Sequence, residues 1–331
     1  LQLGLSTAWL LKALGRPSAH AMDTSLVQAT GLYDFRCGAY WQEWLDWIGV
    51  PIDALPQATP TLYDFGLLHV EDSSGRSADI PVRAMIADQQ AALFGHSSRQ
   101  PGDAECTHGT SSFVKVFLGD QAPDLEKINI YYAWKLGEEG AQTYCLEAPT
   151  TVTGAAIRWL RDNLHLFDEY EEMDLLAGSV DDSGGVYFVP AFTGLDVPYN
   201  NPRARATLLG LTLGHHRGHV MRAFFESIGY QIRAILETID AEAGVSVEQL
   251  LVGGGVSASD LACQIQANLT GIPALRPTFS ETTAWATALL AGLGANIWSS
   301  PDDLPSLPGS YTRFDPKLKS QQRDDGYQRW Q

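Results

Sequence analysis

At 331 residues, 45% hydrophobic and 18% charged, the chain is long enough to bury a large core, and it contains no apolar run long enough to cross a membrane. A formal net charge of -17 repels phosphate backbones and anionic lipid surfaces, so it speaks against nucleic acid and membrane partners and requires a locally neutralising site for any nucleotide. Cys37, Cys106, Cys145 and Cys263 form no CxxC pair, so neither a zinc site nor a disulfide framework is expected, and a reducing, cytoplasmic compartment fits.

The opening stretch LQLGLSTAWLLKALG is amphipathic but lacks the basic n-region and small-residue cleavage site of a signal peptide. With no initiator methionine, a chain that begins inside a helical pattern reads as part of a longer protein. Residues 1–66 are aromatic-rich and irregular, with helices expected over 8–14 and 38–48. The second of these carries Trp41, Trp44 and Trp47 at three-residue spacing, which predicts a packing role. A polar break, EDSSGRSAD, precedes an apolar strand over 81–87 that runs into ADQQAALFG and places Asp88 at the strand's end.

From 101 onward, PGDAECTHGTSSFVKVFLG predicts two short strands joined at GTSS. A domain boundary is expected near 95–102, giving units 1–98 and 99–300 and a tail helix within 301–331. Further strands are expected over 143–148 and 186–190, with a helix between them beginning near Val152. Val220, Phe224, Ile228, Ile232, Ile235 and Ile239 recur at helical spacing and predict a long, half-buried helix over 217–242. LLVGGG then ends a strand in three glycines, a helix follows over 257–271, and a small-residue helix follows over 282–295. A short helix is expected over 317–330.

Two glycine turns are candidate anion cradles, because backbone N–H groups approach a phosphate most closely where no Cβ intervenes. They are HGTSS at 108–112 and GGGVSAS at 253–259. Either is equally required by hairpin or strand-to-helix geometry alone. No GxxxxGK[ST] motif occurs, which excludes a P-loop enzyme, and no GxSxG elbow surrounds Ser111 and Ser112. Asp88, followed by Gln89 and Gln90, reads either as a helix N-cap or as a carboxylate at the mouth of a cleft. His215, His216 and His219 have no neighbouring carboxylate or cysteine to complete a metal set and are expected to be solvated or to cap a helix. His108 is expected to be structural.

In this order, the segments MIADQQAALFG, ECTHGTSSFVKV, EAPTTVTGAAIRWLRDNL, VYFVPAFTGLDVPY, LLGLTLGHHRGHVMRAFFESIGYQIRAIL, LLVGGGVSASDLACQIQANLTGIP and ETTAWATALLAGL resemble the FGGY family of carbohydrate kinases, with the glycerol kinases the nearest branch. The resemblance covers nearly the whole chain. It implies an α/β protein of the actin-like (ribonuclease H-like) ATPase fold, with two domains of which the first is incomplete. ATP and Mg²⁺ would sit on the second domain's side of a cleft and a polyol, glycerol above all, on the first's. The implied base is Asp88, with Gln89 and Phe113 against the substrate. Gly109 and Thr110 match the phosphate hairpin, Gly154 and Arg158 match positions that touch ATP, and Gly254, Gly255 and Ser259 match the adenine turn. No metal-ligating residue is implied, and a homodimer is the implied assembly.

The chain departs from the family pattern at Ala87 for Gly, Gly253 for Asp, Ser259 for Asn and Asn200 for Trp. Nothing in it matches the family's DxGT phosphate loop or its Arg-Glu substrate pair. Two other readings follow from the same residues: a kinase for another sugar such as a pentulose, and a non-catalytic nucleotide-binding or scaffold protein, since this fold serves both.

Overall fold

A computed structural model describes residues 2–96, 99–150 and 152–331. The first third builds helix α1 (Ser6–Leu14), helix α2 (Gln42–Ile48) and a long hairpin, β1 (Leu62–Glu71) and β2 (Ser77–Ala84), whose third strand is Gly15–Pro17. The polar 71–79 stretch is thus the hairpin tip with the start of β2, and the strand stops at Ala84, short of the predicted 87. Leu11, Met22, Val27, Phe65 and Met85 close a small core under it.

The tryptophans of α2 do not pack inward. Trp41 and Trp47 are 53% and 76% exposed and stack through Trp44 at centroid distances of 5.9 and 4.8 Å. Three-residue spacing on a two-turn helix puts them on one face, and Leu45 takes the buried position.

The remainder is organised on a seven-stranded mixed sheet. Its strands are β3 (Ala104–His108), β4 (Ser112–Gly119), β5 (Asn129–Lys135), β6 (Gln142–Thr150), β7 (Leu250–Gly253), β8 (Ala274–Pro277) and β9 (Tyr311–Phe314), in the spatial order β5-β6-β4-β3-β7-β8-β9. β3, β7 and β8 run parallel, and the outer strands are antiparallel to their neighbours. Strand periodicity sorts the two faces. Val114, Val116 and Leu118 join the large core with α4 (Gly154–Asp162), α5 (Glu172–Gly178), α6 (Arg217–Ala243) and α7 (Asp260–Thr270). Phe117 and Cys145 face a second core made by α3 (Asp88–Gly95) and α8 (Thr282–Gly294).

The last two helices approach closely: a Cβ on Gly95 would lie 2.5 Å from the Thr282 carbonyl oxygen, so only glycine lets α3 lie there. The tail helix α9 (Ser320–Trp330) docks by Tyr327 and Trp330. Because α3 covers one face of the sheet, its first residue, Asp88, arrives near the carboxyl ends of the parallel strands β3 and β7. Ligand clefts of open α/β sheets form in that position.

The three histidines at the start of α6 are accounted for by that start. His216 is the N-cap, its Nδ1 accepting from the Gly218 N–H at 3.1 Å, while His219 Nδ1 accepts from the His216 N–H at 3.2 Å. His215 Nδ1 accepts from the Thr212 N–H at 2.8 Å. Each ring thus serves a local backbone group.

Candidate active site

Two cavities meet at the glycine turn after β7. The larger, about 560 Å³, is lined by Asp88, Gln89, His96 and Thr107 together with Gly253, Gly254, Gly255, Arg276 and the start of α8. The smaller, about 390 Å³, is lined by His108, Gly109, Gly154, Arg158, Tyr170 and Gly255. Gly255 belongs to both, so the carboxylate of Asp88 and the two glycine turns open onto adjoining space.

The turn divides its glycines by task. Gly254 adopts φ +84°, a conformation open to glycine, and a Cβ on it would lie 2.4 Å from the His108 carbonyl oxygen. It is what allows β7 to turn against β3. A Cβ on Gly255 would meet nothing within 4 Å, so its missing side chain is space left toward the cavities. Gly109 is similarly open, the nearest atom to its Cβ position being the Ser111 carbonyl oxygen at 3.7 Å.

The β3–β4 turn is held to the start of α4. Gly154 donates its N–H to the Gly109 carbonyl at 3.0 Å, and Thr153 and Ala155 donate to the Thr110 carbonyl at 2.9 and 3.1 Å. A Cβ on Gly154 would come within 2.6 Å of that Gly109 oxygen, so this glycine serves the junction. The Gly109 N–H itself donates to Ser111 O at 2.9 Å and is used inside the turn.

Asp88 is not the N-cap of α3. Ala87 holds that position, without a side-chain bond, and Asp88 is the first helical residue, exposed, with Oδ1 accepting from the Gln89 N–H at 2.8 Å. An acid in the first turn complements the helix dipole without being needed as a cap. Gln89 lines the same cavity, and its buried Oε1 has no hydrogen-bond partner. Phe113 pairs with Thr107 across β3–β4, and directly opposed residues share a sheet face, so it stands on the side where Thr107 meets the cavity.

Arg158, on α4, is exposed at the rim of the smaller cavity. Ser259 lines neither cavity: its Oγ accepts from the Ala262 N–H at 2.9 Å as the N-cap of α7 and donates to Asp174 Oδ1 at 2.5 Å. Thr110 also lies outside both linings, its carbonyl committed to α4.

Other residues around the cleft are not singled out by any motif. Behind Thr107 lies a buried ionic group on the α3-facing side of the sheet: Glu105, Lys115 and Glu147, with Lys115 Nζ paired to Glu147 Oε2. Burial pushes the Glu105 carboxyl up to about 7, opposed by the Thr107 hydroxyl and by Lys115. One charged residue in the middle of each of three strands, β3, β4 and β6, is the trace this group leaves in the sequence.

His108 has the structural part expected of it. Its Nε2 faces Gln266 Oε1 at 2.8 Å, which fixes the proton there, and its Nδ1 faces the Ser112 hydroxyl at 2.7 Å. Burial holds the ring's pKa down at about 4, below the ordinary 6.5. The unfolded chain therefore binds a proton between those values that the folded chain refuses, and stability falls as pH drops through that window. From pH 7 to pH 5, His108 is expected to cost the fold about 2 kcal/mol. Urea unfolding of wild type and His108→Gln at both values checks this: the variant should lose less stability on acidification, and an equal loss would contradict it.

Among the described residues no group of three or more His, Cys, Asp or Glu side chains is placed to hold a metal. The carboxylates of Asp88 and Glu281 line the larger cavity separately, which fits a cation carried in on phosphate oxygens. Among the described residues, no helix is long and apolar enough to cross a membrane.

This arrangement of sheet, helices and cleft is the actin-like (ribonuclease H-like) ATPase fold. The profile of the FGGY family of carbohydrate kinases, C-terminal domain, matches residues 104–295. The chain belongs to that family. It is 38% identical over 331 residues to a glycerol kinase of Shewanella amazonensis and 39% identical to one of Symbiobacterium thermophilum, in each case across 100% of this chain and 66% of the relative. The chain thus spans about two thirds of the length of the curated relatives it matches.

Among solved structures, it superposes on Plasmodium falciparum glycerol kinase with ADP at TM-score 0.90 and 26% identity, over 99% of this chain and 65% of that one. A ligand-bound xylulose kinase from Lactobacillus acidophilus shares the fold at TM-score 0.79 and 20% identity, over 98% of this chain and 64% of that one.

Proposed function

We propose that this chain carries the nucleotide side and the catalytic base of an ATP-dependent kinase that phosphorylates a hydroxyl of a polyol or sugar, with glycerol the acceptor and glycerol 3-phosphate the product. One observation carries the reading: an exposed aspartate at a helix start opens into the same cavity as a glycine turn whose Gly255 leaves room for a ligand. Similarity to two glycerol kinases along the full chain supports the choice of acceptor.

When bound, ATP with Mg²⁺ supplies the phosphoryl group and the charge that neutralises it. Asp88 accepts the proton of the substrate hydroxyl, Gln89 lines the same cavity beside it and helps to orient the substrate, and Phe113 gives the carbon skeleton an apolar surface. Gly255, Gly109, Gly154 and Arg158 border the smaller cavity, which takes the nucleotide. Thr110 and Ser259, which line neither cavity, serve the site through the turns they hold, Thr110 by its carbonyl on the start of α4 and Ser259 as the N-cap of α7. Positioning and charge neutralisation carry most of the acceleration, because the transferred group is loose and metaphosphate-like.

The proposal extends to a cytoplasmic homodimer, with a substrate-binding unit ending near residue 98, a nucleotide-binding unit over 99–300 and the tail over 301–331. ADP release by the protein expressed from its full reading frame, measured with glycerol, xylulose and erythritol, tests it. Glycerol should give the highest kcat/KM. A preference for the pentulose would change the acceptor, and nucleotide binding with no turnover of any polyol would leave a scaffold.

A further inference from the structure

The ionic group behind Thr107 is out of balance. Lys115 is fully buried and its partner is Glu147, yet Glu105, the residue opposite Lys115 on the ladder, is also buried, at 1% exposure. Its Oε1 has no hydrogen-bond partner. Two carboxylates against one ammonium, with one oxygen unsatisfied, is a costly way to fill a sheet interior. An apolar side chain at 105 would leave the Lys115–Glu147 pair intact.

The surplus carboxylate does one visible thing. Its Oε2 accepts the hydroxyl proton of Thr107 at 2.8 Å. Thr107 in turn lines the larger cavity with Asp88 and Gln89, and stands across the strand pair from Phe113. A threonine hydroxyl has one proton to give and two lone pairs to offer. With Glu105 ionised the Thr107 proton is committed to it, and Thr107 then faces the cavity only as an acceptor. That state suits an O–H donor and repels a phosphate oxygen.

We propose that Thr107 receives a hydrogen bond from a hydroxyl of the acceptor substrate, and that Glu105 is the positioning residue that keeps the Thr107 hydroxyl turned for it. The inference rests on the kinase reading above and deepens it by adding a substrate contact on the strand next to the phosphate hairpin. It separates the two ends of the cleft chemically, since the acceptor's hydroxyl is held where the nucleotide's phosphates are unwelcome.

Steady-state kinetics of the protein from its full reading frame test this. Glu105→Met and Thr107→Val are each expected to raise the KM for the polyol about tenfold, the loss of one buried hydrogen bond, with the KM for ATP unchanged. Thr107→Ser should retain the wild-type polyol KM. The double variant should be no worse than Thr107→Val alone, because Glu105 acts only through Thr107. Glu105→Met should also melt at or above the wild-type temperature, since it removes an unsatisfied buried carboxylate and leaves Lys115 its partner.

A lower melting temperature with the polyol KM unchanged, or additive losses in the double variant, would overturn the inference and make Glu105 a packing residue. A wild type that turns over no polyol overturns the kinase reading and this inference together; an active wild type with indifferent variants overturns this inference alone.

Discussion

Asp88→Asn is expected to lower kcat for ATP-dependent polyol phosphorylation by about 10²–10⁴-fold, the usual contribution of a positioned general base. The melting temperature should stay where it is. Asp88 is exposed, it is not the cap of α3, and the backbone hydrogen bond its side chain accepts, from the Gln89 N–H, can be made by an asparagine oxygen. Its favourable place in the first helical turn is worth under about 1 kcal/mol. A rate loss without a stability loss therefore reports chemistry. Turnover within a fewfold of wild type would remove Asp88 from the reaction.

The second large effect distinguishes neighbouring glycines. Gly255→Ala should fold with unchanged stability, because its Cβ meets nothing within 4 Å, yet it should weaken nucleotide binding about tenfold or more by filling space shared by the two cavities. Gly254→Ala should do the reverse in order of cause. At φ +84° and with its Cβ 2.4 Å from the His108 carbonyl oxygen, it strains the backbone by about 1–3 kcal/mol before any steric term, and nucleotide binding fails because the turn is displaced. Thermal melts beside ADP titrations separate the two. Equal behaviour of the two variants would mean that Gly255 faces no ligand.

These effects bear on what could be read from the residues. The strands at 104–119, the glycine turn at 253–255 and the long helix at Arg217–Ala243 follow from local pattern, since alternation, helical spacing and glycine punctuation are properties of short windows. Asp88 and Gln89 were legible for the same reason: they sit where an apolar strand gives way to an apolar helix. Long-range register was not legible. That Glu105, Lys115 and Glu147 share one buried face depends on β3, β4 and β6 pairing in one particular register, which no short window contains.

The same limit explains Ser259. Its resemblance to a nucleotide-contacting position is real in sequence, but the side chain is occupied by its own helix and by Asp174, 85 positions away. Spacing put Trp41, Trp44 and Trp47 on one helical face without showing which side of the helix the core would take. Leu45 took it.

The most direct test is a crystal structure of the protein from its full reading frame with ADP and glycerol. ADP should lie in the cavity bordered by Gly109, Gly154, Arg158 and Gly255, with a glycerol hydroxyl within hydrogen-bond distance of Asp88. Nucleotide bound away from Gly255, or glycerol seated out of reach of Asp88, would contradict the assignment of this cleft as the site of phosphoryl transfer.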